Sequence, residues 1–213
     1  MIEQVIEAYA LKDQKRTGWK LRGVHDPESV ADHSWGTAYL ALVFAEQANV
    51  GRARAVEIAL VHDLAEALTG DVPTRVAGLN DTRLRDEKRE REHEAMKRLT
   101  SGYDANAASN ARALWAEYEA SETAEARFVR DMNMIDMCLQ AYIYERDVRY
   151  DDTAASEHFP DQDGLDEFFA TTRPRLQTEF GRTKFAEVVD LYEKLPRVRE
   201  RERAREASGE AGR

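Results

Sequence analysis

His62, Asp63 and Glu66 stand in the run Ala59-Leu60-Val61-His62-Asp63-Leu64-Ala65-Glu66-Ala67-Leu68-Thr69-Gly70-Asp71, and His33 lies on the helical pattern before it. Imidazole and carboxylate are suitable ligands for a divalent transition metal. A carboxylate one turn further on could then serve as general acid or base toward a water held there. His62 and Glu66 are four apart and share a helix face, with Asp63 about 100° round the axis. Burying three ionisable groups in so apolar a helix costs several kcal/mol unless they are paired or metal-bound.

The elements that must position these groups follow from spacing. Val56, Leu60, Leu64 and Leu68 recur every four residues, which predicts one helix with that stripe facing the interior, and Gly70 stands where it should stop. Upstream, Ser29 is placed as an N-cap with Asp32 in the capping-box position. In the helix that follows, His33, Thr37, Leu40, Ala41 and Phe44 form one stripe, so His33 faces inward. A lone inward histidine is usually a core residue bonded to a neighbour. Two on consecutive helices, one followed by Asp, favour a metal site completed from a third helix over 121–147, which carries Asp131, Asn133 and Asp136.

Other helices are expected over 1–10 (Ile2, Val5, Ile6 and Tyr9 packing), 83–99, 107–120, and in two closing segments separated by Pro174 and Gly181. The 83–99 helix alternates in charge, with Glu87/Arg91 and Glu94/Arg98 as i,i+4 pairs, and reads as a solvated face with His93 on it. Strand patterns are absent, so the fold class is all-α, one helical bundle over residues 1–196 with a disordered charged tail over 197–213. Lys+Arg 31 against Asp+Glu 41 gives a net charge of −10, which argues against a nucleic-acid partner. The single Cys138 allows no intrachain disulfide and suits a reducing cytoplasm; the longest apolar run, Ala38 to Ala45, is too short to span a membrane.

Pro27 to Ser34, then Leu60 to Glu66 and Thr69-Gly70-Asp71-Val72-Pro73-Thr74, resemble the HD-domain metal-dependent phosphohydrolases, most nearly their 5′-deoxynucleotidase subgroup. The likeness runs from about Lys12 to about Tyr144 and implies a compact all-α domain that hydrolyses deoxynucleoside 5′-monophosphates to deoxynucleoside and phosphate. It implies metal ligands His33, His62 and Asp63, with Asn133 where the family carries a ligating aspartate. A helix advances about 100° per residue, so Asp131 lies about 160° from Asn133 and Asp136 about 60° away. Glu66 is catalytic by the same resemblance, and Asp71 to Thr74 line the pocket, with Asp71 orienting nucleophile or leaving oxygen and Thr74 holding phosphate. Arg16 and Trp19, otherwise a basic loop with an anchoring tryptophan, become by resemblance the contacts that sense a missing 2′-hydroxyl. The divalent ion could be manganese, cobalt, zinc or iron, and a homodimer is the assembly to look for. Two other readings share every metal residue: a hydrolase of another phosphomonoester or a nucleotide polyphosphate, and a metal-binding regulatory module that has lost catalysis.

Overall fold

The computed structural model describes residues 1–72, 82–150 and 164–196, and over 82–85 the backbone alone. Thr74, the 151–163 segment with His158 and the 197–213 tail fall outside the described residues. The helices in chain order are α1 (Ile2–Ala8), α2 (Thr17–Lys20), α3 (Val30–Phe44), α4 (Arg52–Val61), α5 (Glu66–Thr69), α6 (Thr82–Thr100), α7 (Ala105–Ala120), α8 (Ala124–Arg146), α9 (Asp166–Thr172) and α10 (Glu179–Glu193), with short 3-10 turns at Tyr9–Lys12 and Arg173–Arg175. Among the described residues there is no strand, only two isolated bridges, Lys15 with Ser29 and Val24 with Tyr150. The all-α expectation is met.

The longest helix, α8, is the axis of the bundle: α3, α4, α7, α9 and α10 all pack on it. Its buried residues Phe128, Val129, Met132, Ile135 and Cys138 meet Ala41 and Ala45 of α3 and Ala55, Ile58 and Ala59 of α4 in one continuous core. The alanines let the three helices approach closely. α3 begins as its sequence requires, Ser29 accepting from Asp32 N while Asp32 accepts from Ser29 N. Its stripe is also as expected, with His33, Thr37, Leu40 and Ala41 buried.

Several local expectations need correction. The 52–69 stretch is two helices: α4 ends at Val61, and residues 62–68 are held by shorter bonds such as Leu64 N to Val61 O and Glu66 N to Asp63 O. That tightening rotates later side chains about the axis. The face that points inward is Ala55, Ile58, Ala59, His62, Ala65 and Glu66, and Leu60 is 57% exposed, so the departure from the expected stripe begins within α4 itself. Ile2 and Ile6 of α1 and Tyr9 of the 3-10 turn after it are exposed. Arg98 pairs with Glu7, and Glu94 with Lys97, so the Glu94/Arg98 pair is not made. Gly181 does not separate helices; it lies in the first turn of α10, where a Cβ would come within 2.1 Å of Asp131 Oδ2.

Asp131 is engaged on that side. Its carboxylate, wholly buried, accepts from Gln177 N, Thr178 N and Thr178 Oγ1 and so anchors the start of α10. Asp131→Ala strands those donors and should lower stability by about 2–4 kcal/mol in thermal unfolding. Bound metal per chain should stay at the wild-type ratio; its loss would put Asp131 at the metal site.

Candidate metal centre and substrate cavity

His33 from α3 and His62 from the turn after α4 bring their rings to 5.3 Å between centroids. Each ring is held by its Nδ1: His62 Nδ1 lies 2.7 Å from Ala59 O, and His33 Nδ1 lies 2.7 Å from Asp136 Oδ2. A carbonyl can only accept, so Nδ1 of His62 donates to it and Nε2 is the nitrogen turned toward Asp63. Burial is the main influence on His33 and the Arg16 charge the next, lowering its pKa to about 3, so that ring is neutral. The two Nε2 atoms stand 3.7 Å (His33) and 3.2 Å (His62) from Asp63 Oδ2. Both Nε2 atoms are buried without a hydrogen-bond partner, as is Glu66 Oε2. The imidazole nitrogens and a carboxylate oxygen of Asp63 lie within 4.8 Å of one another. Orphaned donors of this kind are what a divalent transition metal satisfies, and the residues fit one.

Burial alone would raise the pKa of Asp63, but His62, Arg16 and His33 outweigh it and hold the carboxyl well below its ordinary range. Glu66 goes the other way. Burial first, then Asp63 and Asp71, push it up to about 10, so it holds a proton at neutral pH. Two carboxyl groups three residues apart are thus driven to opposite protonation states, as acid–base pairs in enzymes are.

Arg16 reaches Asp63 Oδ2 and Asp71 Oδ1, both at 3.4 Å. Burial opposes its charge, yet Asp71, Asp63 and Glu66 together raise its pKa. Asp71 also accepts from Thr17 N, and Thr17 Oγ1 donates to Asp71 O. Its carboxylate therefore fastens the 70–72 turn to the start of α2. Gly70, at φ +80, makes the turn where an L side chain would be strained. Trp19 is 1% exposed, stacked at 3.9 Å on Phe168 and donating to Glu28 Oε1, so it reaches the cavity from within the core.

Arg16, Trp19, His62, Asp63, Glu66 and Asp71 line one cavity of about 670 Å³, together with Lys88 and Glu92 of α6, Tyr118 of α7, Arg130, Asn133 and Met137 of α8, and Arg175. Asn133 donates through Nδ2 to the Tyr118 hydroxyl at 2.6 Å, which leaves its carbonyl oxygen as the group able to act as a ligand. Tyr118 meets His62 edge-on at 5.1 Å. Lys88, Glu92, Tyr118, Arg130 and Arg175 were not singled out from the sequence. One signal was present: Glu92, Met96 and Leu99 form the buried stripe of α6, and Lys88 continues it by one turn.

The HD domain family model matches residues 8–166. The chain belongs to the HD domain family. It is 35% identical over 185 residues to the 5′-deoxynucleotidase HDDC2 of Homo sapiens, a match covering 87% of this chain and 79% of that protein. With the protein of the same name from Bos taurus it shares 42% identity over 135 residues, so it spans only 63% of that relative's length. Among solved structures, the PH0347 protein of Pyrococcus horikoshii is 28% identical with a TM-score of 0.64, over 91% of this chain and 99% of that one. A predicted metal-dependent phosphohydrolase of Magnetospirillum magnetotacticum is 27% identical with a TM-score of 0.64, over 91% of each chain.

In this HD domain the position of Asp136 depends on a glycine. Gly36 of α3 faces it, and a Cβ there would fall 2.1 Å from Asp136 Oδ1. A carboxylate on the far nitrogen of a ligating histidine fixes the ring and raises its basicity. Asp136→Ala should weaken Mn²⁺ or Co²⁺ binding about 10–100-fold in titrations of chelator-treated protein. Gly36→Ala, which pushes the same carboxylate aside, should weaken it in the same direction. Unchanged affinity in both variants would show that Asp136 does not set the His33 ring.

Proposed function

We propose that this protein is a metal-dependent phosphomonoesterase acting on deoxynucleoside 5′-monophosphates. One observation carries the reading: two partnerless Nε2 atoms converge with Asp63 beside a buried Glu66, at the wall of a cavity large enough for a nucleotide. His33, His62 and Asp63 would hold the ion, with the Asn133 carbonyl and Asp136, acting through His33, in support. When bound, manganese, cobalt, zinc or iron would supply a Lewis acid for the phosphoryl oxygens and acidify a water. Glu66 is placed to protonate the leaving 5′-oxygen as the P–O bond breaks, and its carboxylate form to take a proton from water. Arg16 positions Asp63 and Asp71, and Trp19 limits the space at the sugar.

The names of the relatives support the substrate class, and the −10 net charge does not favour a nucleic-acid partner. No helix among the described residues is long and apolar enough to cross a membrane. A cytoplasmic setting suits a single, buried cysteine, Cys138.

The test is metal analysis of the purified protein, then phosphate release over matched deoxy- and ribonucleoside monophosphates. We expect dAMP to exceed AMP in kcat/KM, with Trp19→Phe narrowing the ratio. Glu66→Gln should keep its metal and lose at least about 100-fold in kcat. Near-normal kcat in Glu66→Gln removes Glu66 from the chemistry, and no release from any nucleotide removes the substrate class.

The reading extends to a homodimer. Trp35, Tyr39, Leu42 and Val43 form an apolar strip along α3 that is 68%, 52%, 51% and 44% exposed, the first two rings stacked at 5.4 Å. Monomers rarely leave such contiguous patches in water. Light scattering should give twice the chain mass, and Trp35→Glu with Leu42→Glu should return one chain mass. A wild-type monomer would refute self-association.

A further inference from the structure

The cavity has a second cationic end, separated from the metal centre by one ring. Tyr118 meets His62 on one side, and the Arg130 guanidinium lies 4.4 Å from the centre of the same ring. Arg130 donates from Nε to Tyr118 O and from Nη2 to Glu119 O and, at 3.3 Å, Glu119 Oε1, so Nη1 remains available. Arg175, at the end of the 3-10 turn after α9, lines the same cavity. No hydrogen bond, ion pair or ring contact engages its guanidinium among the described residues. The residue is exposed by area, yet burial lowers its pKa first and the neighbouring Arg130 charge lowers it further, Tyr118 acting the other way.

Two guanidiniums that repel one another inside a partly desolvated cavity, with donors to spare, are arranged at a cost unless an anion joins them. The other inner cations are already engaged, Arg16 by Asp63 and Asp71 and Lys88 by Glu92. Glu119, the carboxylate nearest the pair, touches Arg130 only weakly and is partly turned to solvent.

We propose that Arg130 and Arg175 form a phosphate-binding fork across Tyr118 from the His33–His62–Asp63 cluster. Planar forks of this type bind tetrahedral oxyanions with paired N–H donors. The phosphate has two sources: the phosphoryl group of the monoester itself, extending over Tyr118, or a second phosphate elsewhere on the substrate. The inference deepens the nucleotidase reading, but the fork binds inorganic phosphate whatever ester is cleaved.

The test titrates inorganic phosphate into the metal-loaded full chain by calorimetry. Arg175→Ala carries it, because Arg175 holds nothing else in place, whereas Arg130 also closes the end of α7. Arg175→Ala should weaken phosphate binding about tenfold, with Arg175→Lys intermediate. Arg89→Ala, which removes an exposed cation from the cavity mouth, should stay within about twofold of wild type. Kinetics then separate the sources. A raised KM for the 5′-monophosphate in Arg175→Ala, with kcat kept, assigns the fork to the scissile phosphate. An unchanged monophosphate KM, with loss of a wild-type preference for the 3′,5′-bisphosphate, assigns it to a second phosphate. Three results overturn the proposal: no phosphate binding by wild type, equal binding by Arg175→Ala, or an equal loss in Arg89→Ala. If no nucleotide is hydrolysed, the calorimetry still decides the fork while the nucleotidase reading fails.

Discussion

Two imidazoles must present bare Nε2 atoms to the same point, and much of the molecule is arranged to permit it. Each ring needs its other nitrogen engaged, its neutral form favoured and its backbone held close to the other's. The first need is met by Ala59 O and Asp136, the second, at His33, by burial. The third is met by alanines that let α3, α4 and α8 close on one another. Even the irregularity after α4 belongs to this arrangement, since the tightened turns over 62–68 carry both His62 and Glu66 inward.

Around that point the cavity is polar on nearly every side, and its charges are organised in pairs of unequal fate. The pKa of Asp63 is lowered by His62 and Arg16 against burial, whereas that of Glu66, one turn away, is raised by burial and by the carboxylates near it. On the α6 wall, Glu92 is raised mainly by burial, while Lys88 is raised by Glu92 and Glu66 despite burial. Charge inside this domain is therefore distributed by neighbours more than by residue type.

How far this could be read from the sequence depended on the range of the interactions. The Ser29–Asp32 cap, the His33 stripe, the His62–Asp63–Glu66 spacing and the Gly70 stop are local patterns, and the structure contains each. The inward stripe of the second motif helix was misjudged because the alanines Ala55, Ala59 and Ala65 share the inward face with Ile58 while Leu60 is left exposed, so the bulkiest apolar residues do not mark that face. Alternating charge made α6 look wholly solvated, yet a cavity rich in ions can receive Lys88 and Glu92 without an apolar signature. Trp19 stacks on Phe168 and Arg175 shares a cavity with Arg130, and no local rule joins residues so far apart along the chain.

Asp131, buried, and Asp136, half-buried, lie on different sides of the central helix, and each abuts a glycine of a neighbour, Gly181 in α10 and Gly36 in α3. A carboxylate set into a notch without a side chain acts as a peg. With one peg in each flanking helix, α8 cannot slide or roll against either by a residue without driving an oxygen into backbone. The axial register of the bundle is thus keyed at two points five residues apart, one of which also aims the His33 ring. Natural variation at positions 36 and 136 should consequently be correlated: a larger residue in the notch demands a shorter peg.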